Sequence, residues 1–314
     1  MKETLTFAQL SDPHLSSLQG VRWRDLANKR VLGYLSWRRR RRAEHSGDVL
    51  EALQRDLAQT RPEHLVITGD LTHIGLPDEF RQARRWLETL GGPHEVTVVP
   101  GNHDAYIHAP WKHSFSHWQP YMASDGEDDP DPVHLFPSLR VRGPVAFIGL
   151  SSARPSGPFF ATGSLGPEQL GKLARLLDET GRRGLFRVVL IHHPPVPGEE
   201  KWRKRLKDAK ALCDVIGEHG AELVLHGHRH RASESDIEIP GQKVPVFGIP
   251  SASSLGHKPG RMAQYYLYRL QPAGDQWKLD ISVRGYSPRR HAFAQVHERL
   301  VEMPRQKPGT LTNT

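Results

Sequence analysis

Five times within the first 230 residues, a short apolar run rich in β-branched side chains ends directly in a cluster of Asp, His, Asn and Gly. The run 7–10 leads into Ser11-Asp12-Pro13-His14, 65–68 into Gly69-Asp70, and 96–99 into Pro100-Gly101-Asn102-His103-Asp104. Further on, 188–191 leads into His192-His193-Pro194-Pro195, and 223–225 into His226-Gly227-His228-Arg229-His230. Each run reads as a buried strand followed by a polar loop, and five such loops can converge on one site. Helical periodicity fills the intervals. Val49, Leu50, Leu53 and Leu57 share one face, as do Phe80, Ala83, Trp86, Leu87 and Leu90 before the stop at Gly91-Gly92. Leu170, Leu173, Leu176 and Leu177 follow Pro167 in a third helix, and a fourth spans about 206–218. Alternating strand and helix predicts an α/β layered core.

From residue 236 the chain becomes strand-rich, at 237–239, 244–249, 264–270 and 277–283, with a Gly274-Asp275 turn predicting a hairpin between the last two. These strands are read as a second sheet closing the same core. The expectation is a single domain over 1–302 with insertions at about 15–45 and 105–140, followed by a flexible tail at 303–314.

Composition narrows the function classes. One cysteine, Cys213, allows no internal disulfide and no Cys-based zinc framework, which favours a reducing, cytoplasmic setting. The first ten residues read as a strand rather than a secretory leader, and no run reaches the ~18 apolar residues of a spanning helix. The net charge of +8 is local: 21–42 holds nine basic residues against Asp25, and 201–207 holds five more. The rest of the chain carries 29 basic and 34 acidic residues and is net acidic.

Asp12, His14, Asp70, Asn102, His192, His228 and His230 form a mixed set of carboxylate, amide and imidazole donors. Such a set suits Mn, Fe or Zn as divalent ions. Seven donors are too many for one ion and fit two that share a carboxylate. A pair of ions roughly 3.5–4 Å apart suits in-line displacement at phosphorus by metal-bound hydroxide.

The ordered motifs Asp12-Pro13-His14, Gly69-Asp70, Gly101-Asn102-His103-Asp104, His192 and Gly227-His228-Arg229-His230 resemble those of the calcineurin-like metallophosphoesterases over about residues 4–250. The resemblance implies an α/β fold, a four-layer α/β/β/α sandwich of two mixed sheets, and a dinuclear, metal-dependent phosphohydrolase. It implies that Asp12, His14, Asp70 and His230 hold one metal ion and that Asp70, Asn102, His192 and His228 hold the other, with Asp70 bridging and manganese the favoured metal. His103 is implied as the catalytic group that contacts the phosphate or protonates the leaving oxygen, oriented by Asp104. His192 and His193 compete for one ligand position, and His192 is preferred because it directly follows the strand. One departure stands out: many members carry Asp or Asn three residues after the Gly-Asp carboxylate, where this chain has His73. His45 and the other histidines outside the motifs are read as ordinary core or surface residues.

The His-His-Pro-Pro and Gly-Asn-His-Asp forms resemble those of bacterial phosphodiesterases, implying a small anionic phosphodiester substrate such as a cyclic nucleotide or a glycerophosphodiester. Ala27, Val31, Tyr34 and Leu35 can share a helical face between Trp23 and Trp37, beside the arginine run 38–42. That composition suits peripheral contact of 21–42 with the inner face of an anionic membrane. It raises an alternative, a pyrophosphatase acting on UDP-2,3-diacylglucosamine in lipid A synthesis. A second alternative from another class is a nucleic-acid-binding protein or nuclease. Both basic segments follow metal motifs, so a cationic rim around the cleft is expected.

Overall fold

The computed structural model describes residues 3–15, 17–127, 131–239 and 242–305. Its strands in chain order are β1 (Leu5–Leu10), β2 (His64–Ile67), β3 (Val96–Val98), β4 (Ser138–Arg142), β5 (Val145–Gly149) and β6 (Phe186–Leu190). They continue with β7 (Leu223–His226), β8 (Ser233–Ile239), β9 (Gln242–Gly248), β10 (Gln264–Ala273), β11 (Gln276–Ser287) and β12 (Ala292–Pro304). Two six-stranded sheets result, ordered β12-β11-β10-β1-β2-β3 and β4-β5-β6-β7-β9-β8. Both are mixed: β1, β2 and β3 run parallel, as do β5, β6, β7 and β9, while the outer strands pair antiparallel.

The period of two along each strand sorts side chains into layers. Leu5, Phe7 and Val66 meet Phe147, Val188, Leu190 and Leu225 in the core between the sheets. From the opposite faces, Ala8, Leu10, Leu65 and Ile67 pack on the helices Gly47–Thr60 and Pro77–Leu90 through Leu53, Phe80 and Leu87. Ile148, Val189, Ile191 and Val224 pack on Pro167–Arg182 and Ala209–His219 through Leu173, Leu177, Leu212 and Ile216. The arrangement is the four-layer α/β/β/α sandwich.

Two expectations need correction. The strands after residue 236 do not form one closing sheet. β8 and β9 extend the second sheet, whereas β10 pairs with β1 and carries β11 and β12 onto the first. Strand pairing is decided by which edge is open, and local sequence does not carry that information. The hairpin at Gly274-Asp275 forms as expected, but β12 runs on to Pro304, past the predicted end at 302. Residues 306–314 of the predicted tail, and residues 128–130 of the acidic stretch, lie outside the described residues.

Both insertions pack on the core. In the second, Trp118 is fully buried, with its indole N–H donated to the Phe80 carbonyl at 3.0 Å. Arg140 of β4 ties that segment down by donating to the carbonyls of Pro120 (2.6 Å), Ala123 (2.7 Å) and Val96 (2.9 Å). In the first, Leu18, Leu26 and Trp37 join Ile74 and Leu76 in a separate apolar cluster that Val31 and Tyr34 pack against. Half of the apolar face expected to meet a bilayer, Val31, Tyr34 and Trp37, is thus turned inward, while Trp23, Ala27 and Leu35 are exposed. Among the described residues, no helix is long and apolar enough to cross a membrane.

Candidate dinuclear metal centre

Every motif lies just past the carboxyl end of a strand: Asp12 and His14 after β1, Asp70 after β2, Asn102 and His103 after β3, His192 after β6, His228 and His230 after β7. Because the central strands of each sheet are parallel, these ends lie along a common edge, and backbone hydrogen bonds knit the loops together. Asp12 N donates to Gly69 O (2.9 Å), His14 N to Asp70 O (3.1 Å), and Gly227 N to His192 O (3.1 Å).

The turns are sharp. Asp12, His14, Asp70, His228 and His230 all have positive φ, between 43° and 69°. For non-glycine residues that region costs about 1–3 kcal/mol each, and it persists where surrounding structure over-determines the backbone, as at functional sites. The motif glycines create room. A Cβ on Gly101 would come within 2.1 Å of Asp70 Oδ1, and one on Gly227 within 1.8 Å of Ser11 Oγ and 2.6 Å of Asp12 Oδ2.

The donors form two groups that share Asp70. In the first, ligand atoms of Asp12, His14, Asp70 and His230 all lie within 4.8 Å of one another. His14 Nδ1 donates to Thr72 O at 2.8 Å, which leaves its Nε2 lone pair facing His230 Nε2 at 3.4 Å. Asp12 Oδ1 sits 3.1 Å from His230 Nε2, yet it is buried without a hydrogen-bond partner among the described residues. In the second group, His192 Nδ1 donates to Thr68 O at 2.7 Å, turning Nε2 toward Asn102 Oδ1 (3.2 Å) and Asp70 Oδ2 (3.3 Å). His228 Nδ1 lies 2.9 Å from Asn102 Oδ1 and 3.3 Å from His192 Nε2.

This chemistry fits divalent ions. Two ligands each about 2.0–2.2 Å from one ion stand roughly 3.0–3.5 Å apart, the spacing these donors already have. Carbonyl acceptors fix the tautomers of His14 and His192, as outer partners of metal-binding imidazoles do. Burial, reinforced by neighbouring imidazoles, holds His14 and His228 well below the ordinary histidine range, so they are neutral and able to ligate. His192 is the exception. Burial works against its charge, but Asp70 and Asp12 overcome it and lift the imidazole to about 9.

Of the two adjacent histidines, His192 is the one that faces Asp70 and Asn102. His193 uses both ring nitrogens elsewhere, Nδ1 on Ser152 Oγ (2.7 Å) and Nε2 on Ala161 O (3.1 Å). The role expected for Asp104 needs correction. Its carboxylate accepts the backbone N–H groups of Asp70, Gly101 and Thr72, each at 2.9 Å, and thereby organises the metal loops. Burial and the charge of Asp70 raise it to about 7. His103 is oriented instead by the carbonyl of His73, which accepts from its Nδ1 at 2.5 Å. The His73 ring stacks on His14 with centroids 5.0 Å apart, so the residue that departs from the common pattern supports both imidazoles.

Two residues escaped the sequence reading. His45 stands beside His14, ring centroids 4.6 Å apart, and offers a ring nitrogen within 4.8 Å of ligand atoms of His14 and His230. Arg41 brings Nη1 to 3.1 Å from His103 Nδ1. A signal existed, since Trp37, Arg41 and His45 recur every fourth residue, but it is hidden within a run of five consecutive arginines. Of the second basic segment, Lys204 lies near enough for its charge to act on His228.

Residues 5–232 match the family described as calcineurin-like phosphoesterase. The chain is 30% identical over 230 residues to a "probable cyclic nucleotide phosphodiesterase" of Synechococcus sp., covering 72% of this chain and 78% of that protein. It is 28% identical to a "probable glycerophosphodiester phosphodiesterase" of Arcobacter nitrofigilis, covering 55% of this chain and 58% of the relative. In fold it resembles the crystal structure of a dimetal phosphatase from Danio rerio, with a TM-score of 0.61 at 15% identity, covering 96% of this chain and 99% of that one.

Proposed function

The chain belongs to the calcineurin-like phosphoesterase family and is a metal-dependent hydrolase of phosphate esters; from that premise we propose that it cleaves small anionic phosphodiesters, cyclic nucleotides first and glycerophosphodiesters second. The observation that carries this reading is the meeting of both donor groups on Asp70, with one carboxylate edge toward Asp12, His14 and His230 and Oδ2 3.3 Å from His192. In the proposed assignment, Asp12, His14, Asp70 and His230 hold one ion, and Asp70, Asn102, His192 and His228 hold the other, with manganese the preferred metal. Bound there, two divalent ions supply Lewis acidity, acidifying water and offsetting charge on the phosphoryl oxygens.

The protein's own groups do the rest. Asp104 holds the loops of Asp70 and Gly101 in register. His73 anchors Nδ1–H of His103, which leaves Nε2 to face the substrate. Burial and the Arg41 guanidinium hold His103 well below the usual histidine range. An incoming anion offsets that guanidinium and lets Nε2, which carries no proton while His103 is neutral, take one up from solvent; that proton then passes to the departing ester oxygen.

The lipid-pyrophosphate alternative loses its main support, because Val31, Tyr34 and Trp37 are engaged by Leu18, Leu26, Ile74 and Leu76. The deciding assay gives Mn²⁺-loaded protein cyclic AMP, glycerophosphoethanolamine and UDP-2,3-diacylglucosamine side by side. Turnover of the diesters with little of the lipid is expected; cleavage of the lipid alone would overturn the assignment.

The state of His192 makes metal binding pH-dependent. A protonated imidazole cannot ligate, so an ion entering beside Asp70 must expel the proton held there. Mn²⁺ affinity should rise about tenfold per pH unit from pH 6.5 and level off near the His192 value of about 9. In the metal-free protein the sign reverses. The His192–Asp70 pair stabilises fully below the ordinary histidine value near 6.5, and that stability is lost as pH rises through about 9. Calorimetry in buffers of different ionisation enthalpy reads the proton directly, and pH-independent affinity with no proton release would exclude this coupling.

A further inference from the structure

Five consecutive arginines, Arg38 to Arg42, sit where the first insertion returns to the core, and the chemistry above assigns no substrate contact to any of them. The backbone there runs from the helix Arg30–Ser36 through a π-helical turn, Trp37–Arg41, into one more helical turn, Arg42–Glu44. Trp37, Arg41 and His45 follow at four-residue spacing and share a face, which is turned toward the metal centre. Trp37 is buried and edge-on to His73, His45 lies against His14, and Arg41 reaches His103. Arg38, Arg39 and Arg42 are exposed. The turn is held firmly: Arg30 Nε donates to Ile74 O at 3.0 Å and its Nη2 to Gly75 O, while Lys29 Nζ donates to Ser156 O at 2.8 Å.

The guanidinium of Arg41 has few protein acceptors. Its close polar neighbour is His103 Nδ1, but that nitrogen already donates to the His73 carbonyl and has no lone pair to offer. Among the described residues no carboxylate lies within 4.0 Å of it, and the charges that act on it are those of Asp70, Tyr106 and Asp12. A half-buried permanent cation with five N–H donors is thus aimed into the centre, with His103 Nδ1 its close polar neighbour. Such a group is costly to enclose unless an anion completes it. Its planar fork matches two oxygens of a phosphoryl group.

We propose that Arg41 grips the non-bridging oxygens of the substrate phosphoryl group beside His103, making the first insertion a working wall of the site. This deepens the phosphodiesterase reading and rests on it for the substrate class.

The test uses Mn²⁺-loaded full-length protein with inorganic phosphate as the probe, titrated calorimetrically, and metal content measured in parallel. Arg41→Ala is expected to keep both metal ions while weakening phosphate binding about ten- to hundredfold, the range for a lost charge-assisted hydrogen bond. Arg41→Lys should recover part of the loss, because it keeps the charge but not the fork, and exposed Arg39→Ala should leave binding unchanged. Should the alanine variant fail to fold, Arg41→Gln gives the same reading. Undiminished phosphate affinity in Arg41→Ala or Arg41→Gln, or an equal loss in Arg39→Ala, would overturn the proposal. Arg41-dependent phosphate binding in a wild-type protein that cleaves no diester would sustain the wall and sink the substrate class instead.

Discussion

Replacing Asp70 with alanine is expected to remove metal from both halves of the centre and to bring phosphodiester turnover down to background. Its carboxylate is where the two donor groups meet, with ligand atoms of Asp12, His14 and His230 to one side and His192 to the other. Oδ1 also accepts the backbone N–H of His103 at 2.7 Å, so the same deletion loosens the loop that carries the proposed proton donor. Loss of a mere outer partner costs metal affinity about 10–100-fold, so a bridging ligand should exceed that range at both positions. Elemental analysis of the Mn²⁺-loaded variant is the measurement, with circular dichroism confirming that it folds. Two retained ions per chain would refute the bridging assignment.

His103→Ala separates chemistry from metal binding. His103 lies beside the donors but is none of the seven in the proposed assignment, so metal content should not change. Turnover should fall by about 10²–10⁴-fold, the usual contribution of a positioned general acid or base. The loss should fall on kcat rather than on metal content, because the alanine leaves Asn102, His192 and His228 in place. Wild-type kcat would remove His103 from the mechanism. A parallel loss of metal would mean that it serves as a structural prop for the Asn102 loop.

Much of this centre was legible before the fold was known, for a physical reason. Each of the five runs is only three or four residues long, and a loop that leaves it at once with Asp, His or Asn has no local use for them. The glycines in three of the motifs carry information too: at Gly101 and Gly227 a side chain would collide with the carboxylates of Asp70 and Asp12. Spacing could not reveal what each polar group touches. Asp104 follows His103 in the chain, yet its carboxylate turns away to three backbone N–H groups, while the orienting contact comes from His73, thirty residues earlier. His45 looked unremarkable because its neighbours His14 and His230 are distant in sequence.

The sequence by itself determined the layers and the five polar loops that carry the proposed donors, because strand periodicity and abrupt polar endings are local properties that no tertiary contact can reverse cheaply. The tertiary structure alone decided which sheet each late strand joined, which of two adjacent histidines faces the centre, and that Arg41, rather than Arg38, Arg39 or Arg42, points inward. Those choices depend on the direction of a side chain once distant segments pack together. Arg41 turns in because the Trp37–Arg41 turn is seated by Trp37 on Ile74 and Leu76, a contact no window of sequence contains.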